Sequence, residues 1–275
     1  MADVSLADIK ALRERLGTGM VDTKNALVEA EGDIEKAVEI LRLKGAKGNA
    51  KRADRSTSEG LVAAAQSADA VTLIELACET DFVAKNEKFG ALAERVLAAL
   101  VDSGADTLEA ALAAPAEGGT VQSIIEEQAA TIGEKVELRR IARVPGEHFE
   151  VYLHQTSKDL PPQIGVAVAY SGSDAETARS IAQHISFADP QYLTREDVPA
   201  SVVDNEKRIV EEITRNEGKP EAALPKIVEG RLGAFYKQVS LAEQEYARDN
   251  SKSVGQVAKD AGITVTGFAR FKVGA

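Results

Sequence analysis

Apolar residues in the first 44 positions recur at intervals of three and four, the spacing of one face of an α-helix. Gly17-Thr18-Gly19 and Gly32 interrupt this pattern, so it predicts three short helices. Ser5 with Asp8, and then Asp33, are typical of helix starts. The apolar positions are Ile9, Leu12 and Leu16, then Ala26, Leu27 and Ala30, then Ile34, Ala37, Val38 and Leu41. The chain is therefore predicted to begin with a small helical bundle.

The periodicity is lost between residues 45 and 59, which read GAKGNAKRADRSTSE. Four basic residues stand in this segment: Lys47, Lys51, Arg52 and Arg55. A polar segment without apolar spacing is usually a solvated linker, although clustered cations can also form a contact strip for a partner. We interpret the segment as the linker between the bundle and the rest of the chain.

From Gly60 onward the pattern becomes that of β-strands. Two apolar runs, 61–66 and 71–78, flank the short polar turn Ser67-Ala68-Asp69, which predicts a β-hairpin. A helix with one apolar face follows, and weaker helical patterns continue to Thr131. A third strand is then predicted over residues 136–144 (VELRRIARV).

The same order of elements recurs in the second half. Residues 149–155 and 164–170 predict a second hairpin, and residues 176–186 predict a helix. Residues 264–273 (TVTGFARFKV) predict a closing strand that resembles VELRRIARV. Two copies of hairpin, helix and closing strand predict a duplicated α+β subdomain.

An inserted segment separates the elements of the second copy. Residues 201–216 and 225–239 each place apolar side chains on one face, and Glu217-Gly218-Lys219-Pro220 joins them in a tight turn. Pro225 suits the first turn of a helix. The segment predicts an antiparallel helical hairpin or short coiled coil. Since it has little of its own domain to pack against, we expect it to reach towards a partner.

Together these patterns predict an α+β fold with an N-terminal three-helix bundle, a core of two related subdomains with antiparallel sheets, and an inserted helical hairpin. The predicted boundaries are 1–45 for the bundle, 46–59 for the linker, 60–145 for the first core subdomain, 146–198 with 248–275 for the second, and 199–247 for the hairpin.

Composition and charge narrow the possible partners. The chain of 275 residues carries 33 Lys and Arg against 44 Asp and Glu, a formal net charge of −11. An acidic chain repels polyanions, so we expect no nucleic acid partner. No run of 18 apolar residues occurs and the first residues lack an apolar signal region, so we expect no membrane partner and a cytoplasmic location.

Candidate catalytic groups are sparse. Cys78, the single cysteine, lies in the apolar run LIELAC, where a buried, inert thiol is expected. His148, His154 and His184 share no metal-ligand spacing, and no phosphate-binding, dinucleotide or nucleophile-elbow motif occurs. We therefore expect no enzyme, no cofactor and no metal site.

The segment Cys78-Glu79-Thr80-Asp81-Phe82-Val83-Ala84-Lys85-Asn86 joins a predicted buried strand to the next helix. One interpretation is structural: Thr80 or Asp81 caps the helix, and Phe82 staples it to the core. The other is that a carboxylate and a phenyl ring are displayed at a helix tip for a partner. The residues alone leave both open.

The segment TDFVAKN, residues 80–86, resembles the signature of elongation factor Ts. The opening LRERLGTGMVDTKNALVEAEGDIEKAVEILRLKGA resembles the N-terminal module of that family, a bundle of the ubiquitin-associated type. VEGRLGAF at 228–235 and VTGFARFKVG at 265–274 are also similar to family segments. The resemblance covers nearly the whole chain in the same order.

This resemblance implies a translation factor that binds elongation factor Tu, GDP-bound or nucleotide-free, and promotes GDP release by displacing the bound magnesium ion. The residues that match the displacing segment are Thr80, Asp81, Phe82 and Val83. His154 matches a histidine that wedges against the barrel-domain side of the partner. The residues that match the N-terminal contact surface are Lys10, Arg13, Met20 and Val21.

Two other hypotheses stay open. The chain could be an adaptor of the ubiquitin-associated type without exchange activity, which would need partner contacts in residues 1–44 only. It could also be a cysteine-dependent enzyme, in which case Cys78→Ser would abolish activity. The exchange-factor hypothesis predicts that the same variant behaves as wild type apart from a small cost in stability.

Overall fold

The computed structural model describes residues 4–275. Its helices are α1 (Leu6–Leu16), α2 (Met20–Glu29), α3 (Ile34–Arg52), α4 (Asp81–Ala84), α5 (Glu87–Ser103), α6 (Leu108–Ala113), α7 (Val121–Ile132), α8 (Ala175–Ala188), α9 (Ala200–Asn216), α10 (Leu224–Val239) and α11 (Val254–Asp260). Its strands are β1 (Glu59–Gln66), β2 (Ala70–Cys78), β3 (Pro115–Ala116), β4 (Gly119–Thr120), β5 (Val136–Pro145), β6 (His148–His154), β7 (Ile164–Ser171), β8 (Glu245–Tyr246), β9 (Asp249–Ser253) and β10 (Thr264–Lys272).

The three N-terminal helices form where the apolar spacing predicts them. The Ser5 side chain accepts the N–H of Asp8 at the start of α1, and the Asp33 side chain accepts the N–H of Lys36 at the start of α3. Gly17 ends α1 in the left-handed conformation that glycine adopts without strain. The buried residues of this bundle are Ile9, Leu12, Ala26, Leu27, Ala30, Ala37, Val38 and Leu41.

The structure corrects the predicted linker at 46–59, because α3 continues through Arg52. Five of residues 45–52 are Ala, Lys or Arg, which favour helix even without an apolar face, and they offset Gly45 and Gly48, which disfavour it. Contacts with α7 supply the stabilisation that the periodicity does not reveal: Asn49 Nδ2 donates to the carbonyl of Glu126 at 2.8 Å. Within the predicted linker, only residues 53–58 lie outside a helix or strand, because β1 begins at Glu59.

Helix α3 approaches α7 closely at Gly45. A Cβ at that position would lie 2.8 Å from the Cβ of Ala130, so no larger residue fits without a shift. The Thr131 hydroxyl also donates to the carbonyl of Leu16, at the end of α1. The N-terminal helices therefore rest on α7 through a narrow seam of small residues.

Two three-stranded antiparallel sheets form the centre of the chain. Their orders are β1-β2-β5 and β6-β7-β10, so each consists of a hairpin followed by a closing strand on the side of the second hairpin strand. The strands begin and end within two residues of the predicted positions. The shared order agrees with the duplication predicted from the sequence.

The two sheets face each other through small side chains. Val71 and Val144 of the first sheet pack against Ala167 and Ala169 of the second. Gly165 permits the closest approach, because a Cβ there would lie 2.3 Å from the Val62 side chain. Helices α5 and α7 cover the outer face of the first sheet, and α8 and α11 cover that of the second. Central strands β2 and β7 are buried almost throughout.

Helices α9 and α10 pack against each other in the predicted insertion. Their few buried residues are Val210, Thr214, Leu224 and Val228. Pro225 lies at the first turn of α10, where its missing N–H costs no hydrogen bond. The small hairpins β3–β4 and β8–β9 are absent from the sequence-based prediction. Among the residues described, no helix has both the length and the apolar character needed to cross a bilayer.

Candidate functional site

The segment between β2 and α5 contains a helical turn that we call the tip, residues 80–83. Helix α4 is a single turn, and Thr80 is its N-cap: its hydroxyl oxygen accepts the N–H of Val83 at 3.4 Å. Asn86 then caps α5 in the same way, through the N–H of Lys88. Two successive caps make the chain turn twice before the long helix begins, and this double turn leaves Phe82 at the surface.

Phe82 and Val83 point in opposite senses. Phe82 is 81% exposed, more than any other large apolar side chain in residues 4–275. Val83 is 9% exposed and belongs to the core under the first sheet. The hydrophobic-staple interpretation of Phe82 is therefore wrong for this structure. The predicted cap at Thr80 forms, but it caps the one-turn helix α4, and Asn86 caps the long helix α5. Phe82 is thus exposed at the tip, and the next residue, Val83, anchors the tip in the core.

Asp81 lies beside the ring and is paired within its own turn. Lys85 Nζ donates to Asp81 Oδ2 at 2.7 Å. The hydrogen bond from Lys85 lowers the pKa of Asp81 below its ordinary value, so the carboxylate is ionised at neutral pH. A partner that offers a better cation, or a bound metal ion, would compete with Lys85 for this carboxylate.

Two carboxylates hold the base of the tip. Glu134 accepts the Thr80 N–H at 3.0 Å and the Thr80 hydroxyl at 2.7 Å. Glu79 accepts the Lys135 N–H at 2.6 Å and also binds Arg55 at 3.2 Å. Burial opposes the charge of Glu79, but the hydrogen bonds from Lys135 and Arg55 outweigh it and lower the pKa of this carboxyl group. We call these paired contacts the clasp.

The sequence analysis missed Glu134, Glu79 and Lys135 as parts of this site. Glu134 is 54 positions from Thr80 and lies in the connection between α7 and β5. No spacing or motif relates them, because the contact depends on the pairing of β2 with β5. Once the pairing of β2 with β5 is predicted, the residues just beyond the last strand pair become candidates for contacts with the tip.

The predicted N-terminal contact residues lie on a separate element from the tip. Lys10 and Arg13 are exposed on α1, and Met20 and Val21 begin α2 with 47% and 70% of their surface exposed. Their side chains take no part in the buried core of the bundle. The structure thus leaves two apolar residues and two cations of this bundle accessible to a partner.

His154 lies at the end of β6, an edge strand of the second sheet. It is exposed, and its Nδ1 lies 3.0 Å from the hydroxyl of Tyr152. The loop that follows is fixed to the first sheet, because Val62 N–H donates to the carbonyl of Pro162 and Gln163 Nε2 donates to that of Gly60. His154 therefore stands on a rigid edge, on a different element from the tip and from the N-terminal residues.

The candidate catalytic groups are buried or isolated. Cys78 is fully buried, and burial raises the pKa of its thiol to about 12, so the nucleophilic thiolate is scarce at neutral pH. His184 is also buried, which lowers its pKa, and it is hydrogen-bonded to Gln244 at 2.9 Å. Within residues 4–275, no cluster of three His, Cys, Asp or Glu residues could hold a metal ion.

A protruding phenyl ring and a carboxylate on a tethered turn are typical of a protein that acts by contact with another macromolecule. The family model described as elongation factor TS matches residues 79–275. The chain is 71% identical to elongation factor Ts of Leifsonia xyli subsp. xyli and 70% identical to that of Clavibacter michiganensis subsp. michiganensis. It is 56% identical to elongation factor Ts of Tropheryma whipplei, and each comparison covers 100% of both chains. The chain belongs to the elongation factor Ts family.

Proposed function

We propose that this protein binds elongation factor Tu carrying GDP and promotes GDP release, so that GTP can bind next. In this proposal Asp81 and Phe82 enter beside the nucleotide and displace the magnesium ion of the partner, with Thr80 and Val83 fixing their direction. The observation that carries the proposal is the 81% exposure of Phe82 on a turn held from beneath by Val83. The protein forms and breaks no covalent bond, and it needs no cofactor of its own.

Displacing the metal ion is an effective way to loosen a nucleotide. Magnesium bridges the phosphate oxygens and the protein that binds them, so moving it leaves the phosphate charge poorly compensated. A ten-thousandfold faster release requires about 5.5 kcal/mol off the barrier. Burying one phenyl ring in a partner contributes about 1.5–3 kcal/mol, so the tip needs support from other contacts.

We propose that Lys10, Arg13, Met20 and Val21 on the N-terminal helices, and His154 on β6, supply that support. Their exposure and their separation from the tip support a broad interface. Exposed charge pairs add little, so Met20, Val21 and the His154 edge carry most of the extra affinity. Binding of the factor and of GDP is reciprocally coupled: each weakens the other by the same free energy.

The finer organisation is part of the same proposal. We propose a module of the ubiquitin-associated type, predicted at 1–45 and continued to Arg52 by α3, a first subdomain at 60–145, a second at 146–198 with 248–275, and a coiled-coil hairpin at 199–247. Separate clusters of buried residues for the bundle and for each sheet-and-helix layer support this division. A translation factor of this kind works in the cytoplasm, on a protein partner, away from membranes and without binding nucleic acid itself.

The test is the release of a fluorescent GDP analogue from purified elongation factor Tu in excess unlabelled GDP. We expect this protein to accelerate release in proportion to its concentration, and Asp81→Ala to blunt the effect. The absence of tryptophan keeps the emission of the protein itself low. No acceleration with a magnesium-loaded cognate partner would reject the proposal.

The exposure of Met20 and Val21 also favours the second candidate, an adaptor that binds through the N-terminal helices alone. Val21→Asp distinguishes the two in a pull-down with elongation factor Tu. The adaptor hypothesis predicts loss of all binding. The exchange-factor hypothesis predicts weaker binding that survives through the tip and His154.

A further inference from the structure

The clasp lies where the pairing of two strands ends. The last pair of the β2–β5 ladder is Cys78 with Val136. Beyond it, the Thr80 N–H is bonded to the carboxylate of Glu134, and the Lys135 N–H is bonded to the carboxylate of Glu79. Side-chain carboxylates thus replace the backbone carbonyls that a longer ladder would supply, and the exchange is reciprocal. Thr80, the second residue after the ladder on this side, is the base of the tip.

Helix α4 cannot hold its own conformation. A single turn lies far below the length at which a helix is stable in water, since nucleation costs more than one hydrogen bond returns. Its shape must come from its neighbours: Val83 and Ala84 in the core below, and the cap at Thr80. Beside the buried Val83 and Ala84, the Thr80 cap is therefore one of the contacts that set the direction in which Phe82 points.

Glu134 fixes that hydroxyl. The one hydroxyl hydrogen of Thr80 is donated to Glu134 Oε1, which leaves an oxygen lone pair for the N–H of Val83. The second carboxylate oxygen accepts the N–H of the same residue. A chain of hydrogen bonds thus runs from Glu134 through Thr80 to Val83. Val83 is the residue that directly follows Phe82, whose ring is exposed.

We infer that Glu134 is a positioning residue, which acts through Thr80 to hold Asp81 and Phe82 in the direction needed for entry beside the nucleotide. This inference rests on the proposed exchange function for its consequence, although the holding of the tip is a property of the free protein. The competing explanation is that Glu134 only satisfies two half-buried donors of Thr80 and stabilises the end of the sheet.

The first experiment uses the free protein, so its outcome is independent of the exchange function. Amide hydrogen exchange is compared between wild type, Glu134→Ala and Glu134→Gln, with Glu127→Ala as control. Glu127 is an exposed acid on α7, the helix that directly precedes Glu134, so its loss changes the charge equally. We expect the Val83 and Lys85 amides, which close the turn of α4, to exchange about tenfold faster in Glu134→Ala.

Glu134→Gln retains one acceptor oxygen, so we expect it to recover most of the protection at Val83. This variant also guards against a failure of Glu134→Ala to fold. Loss of protection confined to Thr80 itself would mean that Glu134 satisfies one residue and holds nothing beyond it, which would overturn the inference.

The second experiment measures GDP release from elongation factor Tu over a range of factor concentrations. We expect Glu134→Ala to lower the maximal rate about tenfold and to change the half-saturating concentration less than twofold, because the N-terminal residues and His154 are untouched. The same change is then made in the Phe82→Ala background. A residue that acts through the tip has little left to lose there, so we expect less than a twofold further decrease.

The two failures are distinguishable. Equal decreases from Glu134→Ala with and without Phe82 would mean that the residue acts on stability alone, and would overturn the inference while leaving the exchange function intact. If wild type itself does not accelerate release, the proposed function fails. In that case the hydrogen-exchange result alone decides whether Glu134 holds the tip.

Discussion

The two halves of the core have the same strand order but differ at one corresponding place. In the first half, residues 79–86 connect central strand β2 to its covering helix α5, and they include α4 and the tip. In the second half, only Gly172-Ser173-Asp174 connect β7 to α8. Gly172 has a φ of 102°, and a Cβ there would lie 2.5 Å from the carbonyl oxygen of Gly262, so this path leaves no room for a larger residue.

This difference separates folding from function. A short capped connection is enough to join a central strand to its helix, as the second half demonstrates. The extra turn in the first half is therefore not needed to close the fold, and it carries the most exposed large apolar side chain of the described residues. When two halves of a protein share one architecture, a segment that is present in one half and not needed for folding in the other is a candidate for the functional site.

The central strands differ as well. Glu75 of β2 is fully buried, whereas residues 165–170 of β7 are apolar or glycine. Arg139 Nη1 donates to Glu75 at 3.2 Å, Arg140 Nε donates at 2.6 Å, and the Gly274 N–H donates at 3.2 Å. The first sheet is thus tied to the last residues of the chain through one carboxylate.

Glu75→Ala should cause the largest change, a loss of stability that has no counterpart in the second sheet. Removing the carboxylate leaves Arg139 and Arg140 without their shared partner, and the free energy of unfolding should fall by about 3 kcal/mol. Chemical denaturation at neutral pH measures this. Glu150→Ala, in the second sheet, removes a weaker and more exposed pair with Arg179 and should cost less than about 1 kcal/mol. Equal losses in the two variants would contradict the asymmetry.

Phe82→Ala should have the next largest effect, on the rate of GDP release and not on stability. Losing the burial of one ring in the partner should slow maximal release by about tenfold or more. The second half offers a matched control in Phe187, in the last turn of α8, with 65% of its surface exposed. Phe187→Ala should leave release unchanged. If both variants slow release alike, the exposure of a ring rather than its place in the tip is what matters.

Much of this asymmetry is invisible in the sequence. Strand and helix positions follow from apolar spacing, and the cap at Thr80 follows from residue type. Exposure of Phe82 does not, since residue type alone does not decide whether a phenyl ring packs into the core or is displayed. The helix at 46–52 and the Glu134 contact depend on tertiary neighbours far along the chain, at α7 and at Thr80. Local patterns predict the elements, whereas long-range contacts decide what the elements display.

Asp174→Ala tests how much the short connection between β7 and α8 contributes to stability. Asp174 caps α8 by accepting the Thr177 N–H at 2.9 Å, and this hydrogen bond lowers the pKa of its carboxyl group below the ordinary 3.8. We expect the melting temperature to fall by about 2 °C at pH 7, with GDP release unchanged. Because the folded pKa is the lower one, the contribution is present above pH 3.8 and is lost as the pH falls through the folded pKa. A constant deficit down to pH 2 would contradict this cause.

Cys78→Ser should have the smallest effect, since Ser171 already occupies the end of β7 in the other half. The hydroxyl can donate to the Thr80 carbonyl, as the thiol does at 3.3 Å, so we expect a loss of about 1 kcal/mol or less and unchanged GDP release.

Burial raises the pKa of the wild-type thiol from 9.0 to about 12, so its stabilising contribution is complete below pH 9 and declines as the pH rises towards 12. Between pH 8 and pH 10.5, the free energy of unfolding should therefore decline more in wild type than in the serine variant, since Tyr170 and the lysines titrate in both. Rapid alkylation of native Cys78 at pH 8, or loss of activity in Cys78→Ser, would instead favour the cysteine-dependent enzyme.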